Sequence, residues 1–360
     1  MMLENHAFKP SQLIPPGETI SEILEERKIT TSDFAQCIGV PCEIANKLLI
    51  GDFVINKELA VVLSGVLGAS PSFWLNREES YRAQLSELKT PLTSEEDSWL
   101  KEIPVSTMQK NGWIPKAVYP AQNLRNCLSF FDVPDISSWK EIYTSGSELA
   151  AFRTSPAFDP KLGAVAAWLR QGEIEADFID CSPWNKDRFI AALQDARCLT
   201  TQEDPNIFIP ELQKIFGECG VAVVIARTPD GCQASGATKF ISDEKAMLML
   251  SFRHLSDDHF WFTLFHEAAH LILHGGIIFV EGEHCPDSVQ EQEANTFSAD
   301  FLIPVEYKNE LKSLGNDIRK ILKFSKRLGI SPGIVVGQLQ YLGIVKHYHL
   351  QKLKVRYKWA

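Results

Sequence analysis

Two histidines and a glutamate on one predicted helix have the spacing of a hydrolytic metal site. The segment WFTLFHEAAHLILHGG, residues 261–276, contains His266, Glu267 and His270. In an α-helix, residues four apart share a face and lie about 6 Å apart along the axis. His266 and His270 can therefore each direct a ring nitrogen at one metal ion. Zinc is the usual ion for two imidazoles and a carboxylate.

Glu267 has the position of a general base. It is rotated by about 100° from His266, so it lies beside the metal rather than on it. From there it can take a proton from metal-bound water as the water attacks a carbonyl, then pass it to the leaving amine. The rest of the segment is apolar, so these polar side chains need partners inside the protein. His274 lies about 12 Å along the axis from His266, too far to share the ion.

The third ligand is expected on the next predicted helix, because a catalytic zinc ion keeps three protein ligands and one open position. That helix, SVQEQEANTFSADFLIP, offers both Glu291 and Glu293. Glu293 shares its face with Phe297 and Phe301, and we expect this apolar face to turn to the core. Glu293 is therefore the predicted ligand, with Glu291 as the alternative. Asp300 lies near the same face and is predicted to orient a histidine.

The segments before the metal helix are typical of strands. After Pro210, VAVVIAR is a continuous apolar run, and SGATKFIS and KAMLMLSF predict two more strands. Strands followed by a His-Glu helix are the order found in zincin metallopeptidases. We expect an extended peptide substrate to pair with an edge strand such as SGATKFIS. Side chains of a suitable type to stabilise an oxyanion are His254, His259, Tyr341 and His347.

The pair of segments FTLFHEAAHLILHG and EQEANTFSADFLIP resembles the ImmA/IrrE family of metallopeptidases. The resemblance extends over about residues 200–345 and includes ISPGIVVGQLQYLGIV near its end. It implies His266, His270 and Glu293 as zinc ligands and Glu267 as the catalytic acid and base. It also implies limited cleavage of a repressor or another regulator protein.

Residues 17–88 have the pattern of short helices separated by tight turns. GETISEILEERK has the spacing of apolar positions that is typical of a half-buried helix. TTSDFAQCIG and PCEIANKLLIG follow, with Gly39 as a helix stop between them. Two helices joined by a turn, inside a bundle of about five, are the shape of a helix-turn-helix module.

This region resembles the lambda-repressor-like (Cro/C1, XRE) helix-turn-helix family, and within it the HigA antitoxin branch. A Pro-Gly-Glu start and the closing motif SPSFWL carry the resemblance over residues 8–90. The expected arrangement is a homodimer on operator DNA. The residues predicted to contact DNA are Thr31, Pro41, Cys42, Asn46 and Lys47.

The charge of this region is less favourable to DNA than its pattern. Residues 1–90 contain 8 Lys and Arg against 12 Asp and Glu, a net charge of -4. Phosphate contacts supply most of the affinity for DNA. Asn46 and Lys47 are also accompanied by Glu43 and Asp52. A module kept for dimerisation or for binding a protein partner therefore stays open beside operator binding.

The composition excludes some classes of protein. The net charge of -10 argues against non-specific affinity for nucleic acid or acidic membranes over the whole surface. No apolar run approaches the ~20 residues that span a bilayer, and the N-terminus is not typical of a signal peptide. Eight cysteines without a C-x-x-C pair are typical of reduced thiols. The predicted location is the cytoplasm, with no membrane partner.

The fold is predicted to be α+β and mainly helical. We expect a five-helix lambda-repressor-like bundle at 8–90, a helical connecting region at 91–200, and a zincin-like domain with a small sheet and the HExxH helix at 201–345. A basic tail follows at 346–360, with five Lys and Arg and no acid, and we expect a solvated strand there.

Two functions fit these features. The first is a zinc-dependent endopeptidase fused to a DNA-binding module, which regulates transcription or a stress response by limited cleavage of a regulator. The alternative is a HigA-like antitoxin that binds DNA and a cognate toxin, with a structural or sensory zinc domain. The four zinc-site residues favour the first function, and the HigA-like N-terminal region favours the second.

Overall fold

The computed structural model describes residues 13–145, 162–275, 279–281 and 289–359. These residues form two compact units. The first contains the described residues up to Asp97 together with Pro115–Cys127. The second contains Ser98–Ile114 and the described residues from Leu128 onward. The predicted connecting region is thus divided between the units, and the predicted domain boundaries stay predictions.

The first unit begins with five helices, within the range predicted for the helical bundle. They are α1 (Pro16–Glu26), α2 (Thr31–Cys37), α3 (Cys42–Leu49), α4 (Lys57–Leu67) and α5 (Pro71–Lys89). Residues 8–12 of the predicted range lie outside the described residues.

Capping side chains and one glycine set the ends of these helices. The side-chain oxygens of Thr30, Asn56 and Ser70 each accept the backbone N–H three residues later, which satisfies a donor at the start of α2, α4 and α5. Gly39 follows α2 with φ at 70°, a conformation that favours glycine. The helices enclose a core whose largest buried side chains include Phe34 and Trp74.

Among the described residues, seven further α-helices precede the sheet in the sequence. They are α6 (Ser94–Glu102), α7 (Val105–Lys110), α8 (Pro120–Phe131), α9 (Ile136–Lys140), α10 (Leu162–Asp177), α11 (Lys186–Cys198) and α12 (Pro205–Gly217), and a π-helical turn at Glu141–Ser145 follows α9. Residues 146–161 of the predicted helical connecting region lie outside the described residues.

The second unit contains a mixed sheet of β1 (Val221–Ile225), β2 (Gly236–Ser242), β3 (Lys245–Leu250) and β4 (Phe279–Glu281), in the order β1-β3-β2-β4. β1 pairs with β3 in parallel, and β2 is antiparallel to β3 and β4. The expectation that β2 forms an edge is therefore wrong for Gly236–Thr238, which β4 covers. The prediction of a mainly helical chain with a small sheet is confirmed.

Five helices complete the second unit. They are α13 (Asp257–Leu273), α14 (Val289–Leu302), α15 (Lys308–Ser313), α16 (Ile318–Leu328) and α17 (Pro332–Tyr341). α13 is buried along most of its length. Its start packs closely on α17, since a Cβ at Gly333 would lie 2.3 Å from both carboxylate oxygens of Asp257. No helix of the described residues is long and apolar enough to cross a membrane.

Part of the basic tail is packed rather than solvated, which corrects the expectation for Lys354, Val355 and Tyr357, whereas residues 346–349, 352, 356, 358 and 359 are exposed. Val355 exchanges two hydrogen bonds with Asp257 at the start of α13, its backbone N–H donating to the carboxylate at 3.1 Å and its carbonyl accepting the Asp257 N–H. Lys354 forms a buried ion pair with Asp258. The ring of Tyr357 packs against Phe252 at a centroid distance of 5.1 Å. The positive charges of this segment therefore serve partly to hold α13.

Candidate metal centre

The two histidines of α13 meet a carboxylate from α14. His266 Nε2 lies 3.0 Å from His270 Nε2. Glu291 completes the cluster, with Oε2 3.1 Å from His266 Nε2 and Oε1 3.5 Å from His270 Nε2. The three ligand atoms lie within 4.8 Å of one another, as a shared metal ion requires. Both histidines are buried and Glu291 is partly buried.

Glu291, and not the predicted Glu293, lies against the two histidines. The carboxylate of Glu293 contacts His274 instead, with Oε2 2.9 Å from Nε2, and its side chain is 54% exposed. The expectation assumed that the apolar face of α14 turns to the core and carries the ligand with it. Phe301 does stack on Phe265 of α13, but the polar face meets the histidines: Ser298, which shares the face of Glu291, donates to the carbonyl of Phe262 in α13 at 3.0 Å.

Each histidine has a hydrogen-bond partner on the side away from the cluster. His266 Nδ1 lies 3.1 Å from Asn295 Oδ1, and His270 Nδ1 lies 3.0 Å from His274 Nδ1. An amide oxygen only accepts, so the proton of His266 belongs on Nδ1 and its Nε2 lone pair points into the cluster. Such outer contacts fix the orientation of metal-binding imidazoles.

Asp300 does not take the orienting role predicted for it. Its carboxylate pairs with Lys308, and Asn295 contacts His266 in its place. Asn295 follows Glu291 by four residues, so the two share a face of α14. That spacing is visible in the sequence and would have identified both residues together.

The charges of the cluster favour metal binding at neutral pH. Burial alone would raise the pKa of Glu291, but its close contacts with His266 and His270 outweigh burial and lower the pKa to about 2. Burial lowers the pKa of His270. A carboxylate and neutral imidazoles are the forms that bind a metal. This donor set fits zinc.

The residues predicted to contact DNA lie around the turn between α2 and α3. Pro41 precedes α3, Cys42 is its first residue, and Asn46 is exposed on it. Thr31, at the start of α2, is half-buried. Lys47 is exposed, and its Nζ lies 2.7 Å from Glu43 Oε1. The nearest counterion of this lysine is therefore supplied by its own helix.

Comparisons with known proteins match both parts of the chain. The peptidase M78 family, described as the IrrE N-terminal-like domain, matches residues 222–339, which include His266, Glu267, His270 and Glu291. The chain is also 35% identical over 66 residues to YddM of Escherichia coli (strain K12), an uncharacterized HTH-type transcriptional regulator. That match covers 18% of this chain and 70% of YddM. The chain joins a helix-turn-helix domain to an IrrE-like peptidase domain.

A glycine of the sheet makes room for Glu267 in the IrrE-like domain. Glu267 is fully buried. A Cβ added at Gly236 in β2 would lie 2.6 Å from Glu267 Cγ and 2.7 Å from Thr263 Cγ2. Only glycine leaves this space, so the sheet and α13 together fix the position of the carboxyl group next to His266.

A cavity of about 610 Å³ in the second unit reaches neighbours of the cluster residues, although His266, Glu267, His270 and Glu291 do not line it. Thr263, one turn before Glu267, and Asn295, the partner of His266, both line it. The side chains considered for oxyanion stabilisation line it too, and they are His254, His259, Tyr341 and His347. The sequence alone could not place them, because they come from three separate segments that only the fold brings together.

Proposed function

We propose that this protein is a zinc-dependent endopeptidase that regulates transcription by limited cleavage of a regulator protein in the cytoplasm. The observation that carries the proposal is the convergence of His266, His270 and Glu291 beside the buried Glu267. The match to a peptidase family over the same residues supports it.

Each residue of the site has its own proposed role. His266, His270 and Glu291 would hold the zinc ion, which when bound activates water and polarises the peptide carbonyl. Glu267 takes the proton from the attacking water and passes it to the leaving amine. Asn295 and His274 hold the two imidazoles in orientation.

The helix-turn-helix domain is proposed to place this activity at an operator, as a homodimer. Similarity to an HTH-type transcriptional regulator supports DNA binding. The exposed Asn46 and Lys47 are the contacts that the segment around α3 offers to bases and phosphates. Because Glu43 competes for Lys47, we expect weak and salt-sensitive binding.

A second function is a HigA-like antitoxin whose zinc domain is structural or sensory. It is favoured by apolar side chains that the first unit exposes. Ile50, Val54 and Val61 are 63%, 56% and 61% exposed. Apolar side chains on a surface are typical of a protein contact when they form a patch. This function needs no turnover and therefore no role for Glu267.

The matched pair of wild type and Glu267→Gln separates the two functions. Glutamine keeps the shape of glutamate but cannot take the proton from water. We expect both proteins to hold about one zinc ion per chain, and new protein N-termini to arise only in cells that express the wild type. Loss of a general base typically costs 10²- to 10⁴-fold in rate. If the variant holds zinc and yields the same N-termini and the same transcription, the peptidase function is wrong and the antitoxin function takes its place.

A further inference from the structure

The cavity beside the cluster differs in charge from the protein as a whole. The chain has a net charge of -10. Among the described side chains that line this cavity are two permanent cations, Lys354 and Arg356, and three histidines, against one carboxylate, that of Asp258. A wall of this composition favours an anionic ligand.

The carboxylate of Asp258 is already neutralised. Lys354 Nζ contacts Asp258 Oδ2 and also donates to Gln340 Oε1 at 2.7 Å. The side chains of Lys354 and Asp258 are only 5% and 7% exposed. Two buried ions that hold each other in this way are costly to separate. Asp258 therefore pairs with Lys354 rather than with Arg356, so the positive charge of Arg356 is available to a ligand.

Arg356 is exposed at the wall of the cavity and contacts only neutral acceptors among the described residues. Its guanidinium donates to Gln351 Oε1 and to the carbonyl of His254. A guanidinium has five N–H donors in a planar fork, so it can still bind a carboxylate through two of them. The rings of His254 and His259, which line the same cavity, stack on each other with their centroids 4.2 Å apart. Burial lowers the pKa of His259; the charge of Asp258 raises it, and the charges of His254, Lys354 and Arg356 lower it.

A ligand in this cavity would lie next to the metal cluster. Asn295 lines the cavity and also contacts His266, and Thr263 lines it one turn before Glu267. A volume of about 610 Å³ is within the usual range for ligand sites and exceeds the size of one side chain. The cavity can therefore hold part of an extended peptide whose reacting bond lies at the cluster.

We infer that this cavity binds an acidic side chain of the peptide substrate close to the cleaved bond, and that Arg356 is the residue that selects it. The inference rests on the proposed function, because it needs a catalytic zinc ion at His266, His270 and Glu291. It adds a substrate class to that function: regulator proteins with a glutamate or aspartate beside the cleavage site.

Matched pairs of peptide hydroxamates test this inference on the zinc-loaded, full-length protein. The hydroxamate binds zinc, and each pair differs only by a Glu or a Gln next to it, on the amino side in one series and on the carboxyl side in the other. In one of the two series, we expect calorimetry to show that the Glu peptide binds about tenfold tighter than its Gln partner, which is the gain typical of a charge-assisted hydrogen bond. This preference should shrink as salt is added.

Variants of the same segment provide the controls. Arg356→Gln should abolish the preference, and Lys358→Gln should keep it, because Lys358 is exposed but does not line the cavity. Arg356→Lys, which keeps the charge without the fork, should keep part of it. Zinc content and thermal midpoint should be the same in all three.

The possible outcomes distinguish a failure of the acidic subsite from a failure of the proposed peptidase function. Equal affinity for Glu and Gln peptides in both series, or a preference that Arg356→Gln retains, overturns the acidic subsite and leaves the metal site intact. If no hydroxamate binds the zinc-loaded wild type, the proposed peptidase site itself is wrong, and the subsite falls with it.

Discussion

Glu293 and His274 are joined by a hydrogen bond of 2.9 Å, and with a neutral His274 this bond leaves the Nε2 lone pair of His270 facing the cluster. A neutral His274 donates its Nε2 proton to the Glu293 carboxylate and is left with a lone pair on Nδ1. That lone pair accepts the Nδ1 proton of His270 at 3.0 Å. His270 Nε2 then directs its own lone pair into the cluster. Glu293 thus acts on the metal site through two imidazoles.

Removing this carboxylate should weaken zinc binding without removing a ligand. In Glu293→Ala, His274 loses its acceptor, so the proton positions of His274 and His270 are no longer fixed. We expect zinc affinity to fall about tenfold, in the range typical of outer-shell changes. Competition with a chelator measures it. Gln292→Ala, at the exposed neighbouring position, should have no effect, and an equal loss in this control would contradict the relay.

Comparing the zinc loss in two variants identifies the third ligand. Glu291→Gln removes a carboxylate that contacts both His266 and His270, whereas Glu293→Ala acts only through His274. We therefore expect the larger loss of zinc in Glu291→Gln, measured as metal per chain after dialysis. A larger loss in Glu293→Ala would return the ligand role to Glu293, as the sequence pattern predicted.

Gly236→Ala should separate metal binding from turnover. The added Cβ would lie 2.6 Å from Glu267 Cγ and Oε1, so the buried carboxyl group must move. We expect zinc content to stay near one per chain while the cleavage rate falls toward that of Glu267→Gln. Gly65→Ala, where a Cβ meets nothing within 4 Å, is the matched control. Full cleavage by Gly236→Ala would show that the position of Glu267 is not critical.

Asp257 should make stability depend on pH. Burial raises the pKa of its carboxyl from 3.8 to about 6, despite its hydrogen bond with Ser331. The folded protein therefore binds this proton more tightly than the unfolded chain does. The contribution of Asp257 is fully present below about pH 4 and is lost as the pH rises through about 6.

Asp257→Asn isolates that contribution. A shift of about two pKa units corresponds to at most roughly 3 kcal/mol in the free energy of unfolding. Relative to the wild type, the variant should therefore gain stability between pH 4.5 and pH 7.5, as judged by thermal midpoints at both values. A constant difference between the two proteins would show that Asp257 does not titrate in this range.

The pairing of Lys47 with Glu43 predicts opposite effects of two substitutions on DNA binding. Glu43→Gln removes the competing carboxylate, so we expect tighter binding to a promoter fragment and a steeper dependence on salt. Lys47→Ala should weaken binding. It should also reduce the slope of log affinity against log salt concentration by about one, which is the contribution of one phosphate contact. Fluorescence anisotropy of the full-length protein measures both. If neither change alters affinity, α3 is not the DNA-binding helix, and a protein-binding role for this domain gains support.

Local patterns were sufficient for the parts of the site that lie on one helix. The i, i+4 spacing of His266 and His270 and the neighbouring Glu267 could be identified from the sequence, because an α-helix fixes their relative positions. The choice between Glu291 and Glu293 depended on how α14 is rotated against α13, and two polar contacts, by Asn295 and Ser298, decide that rotation.

Long-range pairing was the part that the sequence could not predict. The segment SGATKFIS was correctly expected as a strand, but no local pattern shows that it pairs with β4, which follows α13 in the chain. The basic tail, with five Lys and Arg and no acid, was expected as a solvated strand. Its partner, Asp258, is 96 residues away from Lys354, and no local pattern marks such a pair.

That separation has a consequence for protein synthesis. Asp258 leaves the ribosome 96 residues before the lysine that neutralises it. At typical rates of translation the interval is about 5–20 s. During this time the first turn of α13 carries a carboxylate without the lysine that pairs with it in the folded protein. The N-terminal helices are all made earlier and can fold first, so under the proposed function a newly made chain would be able to bind DNA before its proposed peptidase site is complete.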